Sequence, residues 1–130
     1  MCVLKTILIV DDEFSLVESL AELLSWEGYE VVTASNGRQG LEQIERSTPA
    51  LLLLDYMMPM MDGLQMLRTL RSNPAYHALP VVLMTAAPMG LPKGEANWTA
   101  LLRKPFTVAE VLRVIERLLV GSRGQIDSTG

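Results

Sequence analysis

Aromatic side chains are scarce in this sequence, at 5% of 130 residues, and cysteine and histidine are scarcer still. The single cysteine, Cys2, excludes an internal disulfide and fits a reducing compartment. The single histidine, His77, follows Asn73–Pro74 in an expected loop and reads as solvated rather than as a phosphodonor. Positive charge is not in excess: 11 Lys and Arg against 15 Asp and Glu give a net charge of −4. Nothing in that balance draws the chain to a nucleic-acid backbone. No apolar run is long enough to cross a bilayer. The N-terminal stretch MCVLKTILIV runs straight into Asp11–Asp12–Glu13 with no small-residue cleavage site, which makes it a poor signal peptide. Internal repeats and a glycine-rich phosphate loop are also missing. The remaining expectation is one soluble cytoplasmic domain, large enough to bury about two thirds of its unfolded surface.

Apolar runs alternate with segments of helical period. Lys5–Val10, Tyr29–Ala34, Ala50–Leu54, Pro80–Met84 and Thr99–Arg103 read as strands. Phe14, Val17, Leu20, Ala21 and Leu24 recur at helical spacing, so Glu13–Glu27 reads as a helix ended by Gly28. Asn36–Gly37 reads as a turn before a second helix with Leu41 and Ile44. Asp62 is suited to cap a third helix with Leu64, Leu67 and Leu70. Thr107 and Glu110 form a T-x-x-E capping box for a last helix carrying Val111, Leu112, Ile115, Leu118 and Leu119. Strands apolar on both faces, alternating with helices, predict an α/β fold with a doubly wound five-stranded parallel sheet. The domain is expected over 1–120. The tail GSRGQIDSTG at 121–130 has one apolar residue and no period, so it reads as flexible or as the start of a linker.

In open α/β sheets, ligands bind beyond the carboxyl ends of the strands. Strand one ends in Asp11–Asp12, strand three in Asp55, strand four in Thr85 and strand five in Lys104–Pro105. Alone, each has a bland reading: a turn aspartate, a surface lysine, an ordinary threonine. Together they gather three carboxylates, a hydroxyl and an ammonium at one edge. Three close carboxylates repel, and a divalent cation offsets this. Mg²⁺ takes oxygen ligands, typically one or two carboxylates plus phosphate oxygens. The cluster therefore reads as a Mg²⁺ site prepared for a phosphoryl group, with Lys104 and Thr85 on its oxygens and Asp55 as nucleophile.

Four stretches in order, ILIVDDE, LLLLDYMMPMMDG, ALPVVLMTA and LLRKPF, resemble the receiver domain of two-component response regulators. The resemblance covers Lys5 to about Val120. It implies the flavodoxin-like (βα)5 fold and a phosphoacceptor that switches partner binding, not a turnover enzyme. It implies that Asp55 accepts a phosphoryl group from a phosphohistidine on a sensor histidine kinase or histidine phosphotransfer protein. It implies that Asp12 binds Mg²⁺ directly, that Asp11 helps through water, and that the backbone carbonyl of Met57 and the Asp55 carboxylate complete the shell. Lys104 would bridge to Asp55 or its phosphate, Thr85 would be the switch hydroxyl, and the Lys104–Pro105 bond would be cis. The downstream partner is unspecified; neither nucleic acid nor membrane is implied as a direct one.

Two features depart from the family. Leu101 stands three residues before the lysine, where receivers usually carry Tyr or Phe. The segment from Thr85 to Lys104 is short, with Pro88, Gly90, Pro92 and Gly94 at alternate positions. Proline costs a helix about 3 kcal/mol and glycine about 1 kcal/mol, so the fourth helix is expected to be shortened or missing. Lys93–Trp98 has room for about one turn. Phosphorylation is then expected to be read out by Thr85 and the loop Ala87–Trp98, with Trp98 filling the gap left by the helix and Trp26 packing at the end of helix one. Met58 and Met61 read as packing residues, and Met60 as a possible partner contact. Two other functions fit the pattern less well. An aspartyl-phosphate phosphatase would place its nucleophile on strand one with an Asp two residues on, where this chain has Glu13. A pseudo-receiver would not need the full set Asp11, Asp12, Asp55, Thr85 and Lys104.

Overall fold

The computed structural model describes residues 4–92 and 97–127. Five parallel strands form one sheet: β1 (Thr6–Val10), β2 (Glu30–Ala34), β3 (Leu51–Asp55), β4 (Val81–Thr85) and β5 (Ala100–Arg103), in the order β2-β1-β3-β4-β5. The chain leaves β1 toward β2, then returns to the other side of β1 for β3. That reversal opens a crevice beyond the carboxyl ends of β1 and β3, where such folds bind ligands.

The sheet is held by apolar side chains alternating between its faces. Leu8, Val10, Leu52, Leu54, Val81 and Leu83 face α2 (Gly37–Arg46) and α3 (Gly63–Arg71) through Ile44, Leu64, Leu67 and Leu70. Ile7, Ile9, Leu51, Leu53, Val82 and Met84 face α1 (Phe14–Trp26) and α4 (Val108–Asp127) through Leu20, Leu24, Val111, Ile115 and Leu119. The four leucines Leu51 to Leu54 are fully buried. Each such side chain contributes about 1.5–3 kcal/mol of burial. Β3 is thereby fixed as the rigid centre, and the residue that ends it is held with it.

Local signals set the element ends. Gly28, at φ 97°, closes α1: the Tyr29 N–H donates to the Leu24 carbonyl and the Gly28 N–H to Ser25, the paired bonds of a Schellman motif. The Thr107–Glu110 box is present, with the Glu110 N–H on Thr107 Oγ1 at 3.1 Å and the Thr107 N–H on Glu110 Oε1 at 2.9 Å. Asp62 and Gln65 form a second box at α3.

Several expectations change. Asn36 does not sit in a free turn: its side chain caps α2 by accepting the Gln39 N–H at 2.8 Å. Trp26 is 83% exposed rather than packed. It lies two residues beyond the buried Leu24, about 200° around the helix and so on the outer side. The backbone of α4 runs from Val108 to Asp127, so a helix leads from the domain into the tail. Once a helix is formed each further residue adds a hydrogen bond without a new nucleus, which offsets the glycine cost at Gly121 and Gly124. Between β4 and β5, the described residues contain a single 3₁₀ turn, Pro88–Gly90, as the proline and glycine spacing predicts; residues 93–96 of the expected turn at Lys93–Trp98 lie outside the described ones. Leu91 and Trp98 pack against the α2–α3 side of the core, so Trp98 does fill this region. It does so at the amino end of the sheet, where the Thr99 N–H donates to the Val81 carbonyl at 2.7 Å, remote from the acidic edge. Among the described residues no helix is long and apolar enough to cross a membrane.

Candidate functional site: an acidic pocket closed by a lysine

Hydrogen bonds that outrun the strands carry the site residues. The Asp11 N–H donates to the Ala34 carbonyl, extending the β1–β2 ladder, and the Tyr56 N–H donates to Met84, extending β3 beyond Asp55. The Lys104 N–H donates to the Thr85 carbonyl at 2.8 Å, which ties the ends of β4 and β5 together. The Lys104–Pro105 peptide is cis, as expected.

Behind Asp55 the chain folds back tightly. The Gly63 N–H donates to the Tyr56 carbonyl at 2.9 Å. A Cβ on Gly63 would collide with the Asp55 carbonyl oxygen and come within 2.9 Å of Tyr56 Cα. Only glycine lets α3 start so close to the strand end. In the loop between, Met60 has φ 70°, a left-handed conformation costly for this residue, and is fully exposed. Met58 is buried and Met61 partly buried in the core, as their packing role predicts. Met57 follows Asp55 by two residues, with its side chain exposed.

The geometry brings the predicted residues together. One oxygen each of Asp11, Asp12 and Asp55 lies within 4.8 Å of the others, a spacing that suits a small cation with oxygen ligands. Asp11 and Asp55 are buried, while Asp12 is exposed at the rim. The Lys104 ammonium lies 2.9 Å from Asp11 Oδ2 and 3.1 Å from Asp55 Oδ1. It thus bridges two strands, with its shorter contact to Asp11 rather than to Asp55. Thr85 is buried at the end of β4, and its Oγ1 accepts the Ala87 N–H at 3.0 Å. Glu13, which the sequence reading passed over, has Oε1 4.0 Å from the ammonium. Its backbone N–H donates to Asp11 Oδ1 at 2.9 Å, and only the acidic run DDE hinted at it.

These contacts set the electrostatics. Burial, then the neighbouring Asp11, push the Asp55 carboxyl up to about 6, against the pull of Lys104. Burial alone would lower the Lys104 ammonium, but Asp11 and Asp55 outweigh it and hold it above the usual lysine range. The result is a buried carboxylate ready to take a positively compensated group, with one ammonium within reach.

The family model for the response regulator receiver domain matches residues 7–116. The response regulator MprA of Mycobacterium leprae is 40% identical over 119 residues, which is 87% of this chain and 50% of that protein. The alkaline phosphatase synthesis transcriptional regulatory protein PhoP of Bacillus subtilis is 35% identical over 121 residues, 88% of this chain and 48% of that one. The chain therefore spans about half the length of these relatives. Among solved structures, the chemotaxis protein CheY4 of Vibrio cholerae superposes with a TM-score of 0.83 at 29% identity, covering 90% of this chain and all of that one. The response regulator TrrA of Thermotoga maritima, solved in complex with Mg²⁺ and BeF, gives 0.79 at 31% identity, covering 89% and 100%. The chain belongs to the response regulator receiver domain family, the phosphoacceptor module of two-component signalling.

Proposed function

We propose that Asp55 is the residue that receives the phosphoryl group, donated by a phosphohistidine on a sensor histidine kinase or histidine phosphotransfer protein. The observation that carries this reading is the buried Asp55 carboxylate, 3.1 Å from the Lys104 ammonium and clustered with Asp11 and Asp12. An Asp55 oxygen attacks phosphorus, the bond to the donor imidazole nitrogen breaks, and an acyl phosphate remains. Asp12, Asp11, Asp55 and the Met57 carbonyl would hold Mg²⁺, with Asp12 as a direct ligand and Asp11 helping through water. The ion, when bound, neutralises charge on the phosphoryl oxygens. Lys104 supplies the second positive charge on the same oxygens. Thr85 is the switch hydroxyl: its O–H donates to a phosphoryl oxygen while its Oγ1 accepts the Ala87 N–H. The complex of TrrA with Mg²⁺ and BeF supports this use of the acidic pocket.

The module acts on itself alone and signals by changing which protein it binds. Its partners are the phosphodonor and an unspecified downstream protein, with no direct nucleic-acid or membrane contact, in the cytoplasm. The unit is 1–120, a span that holds the four site stretches and the family-model match at residues 7–116, and 121–130 is its tail or the start of a linker. Incubation with acetyl phosphate and Mg²⁺, followed by intact mass, tests the assignment. The wild type should gain one phosphoryl group and Asp55→Asn none; equal labelling of the variant would refute the assignment.

A further inference from the structure

Both oxygens of Asp11 are already engaged. Oδ1 accepts the Glu13 N–H and Oδ2 accepts the Lys104 ammonium, each at 2.9 Å. The same ammonium is 3.1 Å from Asp55 and 4.0 Å from Glu13, and the lysine side chain is only 18% exposed. One ammonium thus faces three carboxylates, and its shortest contact is to Asp11, a residue of the proposed cation site. A second, divalent charge brought among Asp11, Asp12 and Asp55 repels the ammonium and competes for Asp11. A largely buried ammonium that loses a carboxylate without gaining another is strongly disfavoured.

Glu13 is the group placed to prevent that loss. Its carboxylate is 62% exposed and so has room to move. Its backbone is pinned to Asp11, which fixes it beside the lysine. The lysine carries three donors on a flexible stem, so it can change partners without losing Asp55. Resting on the site reading above, we propose that Glu13 is a positioning residue. It takes over the share of Lys104 that Asp11 releases when a divalent cation binds, and so keeps the ammonium aimed at Asp55.

Calorimetric titration with Mg²⁺ of the wild type, Glu13→Gln, Lys104→Gln and the double variant tests this. Glu13→Gln should weaken Mg²⁺ binding about threefold to tenfold. In the Lys104→Gln background the same substitution should change the dissociation constant less than about twofold, because no ammonium remains to be received. An equal loss in both backgrounds would show Glu13 acting only as a distant charge, and would overturn the proposal. A second measurement does not depend on the Lys104 variant folding. In ¹⁵N-lysine spectra, Mg²⁺ should leave the Lys104 ammonium signal protected in the wild type and lost to solvent exchange in Glu13→Gln. A signal that survives equally in both overturns the proposal. A wild type that binds no Mg²⁺ refutes the site reading itself and this inference with it, whereas Mg²⁺ binding without the coupling refutes the inference alone.

Discussion

Replacing Asp55 by asparagine should stabilise the metal-free fold, and the gain should depend on pH. The carboxyl has its ordinary value at 3.8 and stands at about 6 in the folded chain, chiefly because it is buried and next because Asp11 is near. A raised carboxyl favours its protonated form in the native state. The stability this contributes is fully present below 3.8 and is lost as pH rises through about 6. At about 1.4 kcal/mol per pH unit, the interval corresponds to about 3 kcal/mol. Asparagine imitates the uncharged form at every pH. Asp55→Asn should therefore exceed the wild type by about 2–3 kcal/mol at pH 8 and by almost nothing at pH 4. Every other ionisable group is common to both proteins, so the difference between them isolates Asp55. Urea unfolding with a chelator present, at half-unit steps from pH 4 to 8, measures it. A gain that is constant with pH would show that the effect is packing, not charge. A loss at pH 8 would show that the Lys104 contact outweighs burial, contrary to the reasoning.

Two further substitutions test how the site is supported. Gly63→Ala drives a methyl group into the Asp55 carbonyl and the Tyr56 backbone, so it should cost about 2–4 kcal/mol in urea unfolding and slow phosphoryl uptake by acetyl phosphate; wild-type stability would refute the tight start of α3. Arg71→Met removes charged donors to the carbonyls of Tyr76 at 2.7 Å and Asn97 at 2.9 Å, and should cost about 2–4 kcal/mol with faster hydrogen exchange in β5, which unchanged exchange would contradict.

The sheet was legible because its signals are local. Runs such as LLLL and VVLM cannot face water on either side, and each ends within one residue of where the alternation predicts. The gathering of these residues was legible because strand order follows from the fold, and strand ends carry Asp11, Asp55, Thr85 and Lys104 to one edge. What was not legible depends on side-chain direction and on long-range tethers. Trp26 looked like core until its position around α1 was fixed relative to Leu24. The closer tie of Lys104 to Asp11 than to Asp55 is a matter of tenths of an ångström across two strands. Arg71 gave no signal at all: its partners are backbone carbonyls, and one of them is 26 positions away.

The short connection between β4 and β5 bears on how charge at Asp55 reaches the surface. The Thr85 Oγ1 accepts the Ala87 N–H, so when its own O–H donates to a group on Asp55 the Ala87 backbone is drawn with it. Ala87 opens a segment whose described backbone bonds are those of one 3₁₀ turn, Gly90 to Ala87 and Leu91 to Pro88. Moving it disturbs two weak contacts instead of several turns of helix, so the rearrangement is local and of low cost. Leu101 gives no ring to follow the hydroxyl inward; it lies on the outer side of β5, 39% exposed, between the buried Ala100 and Leu102. Lys104, by contrast, is bonded through its own N–H to the Thr85 carbonyl. Any shift of Thr85 or of the ammonium is thus felt by both strand ends at once. On the proposed role of Thr85, the route from Asp55 outward runs through the backbone of residues 85–87 and 103–104, since Leu101 offers no aromatic side chain to carry it.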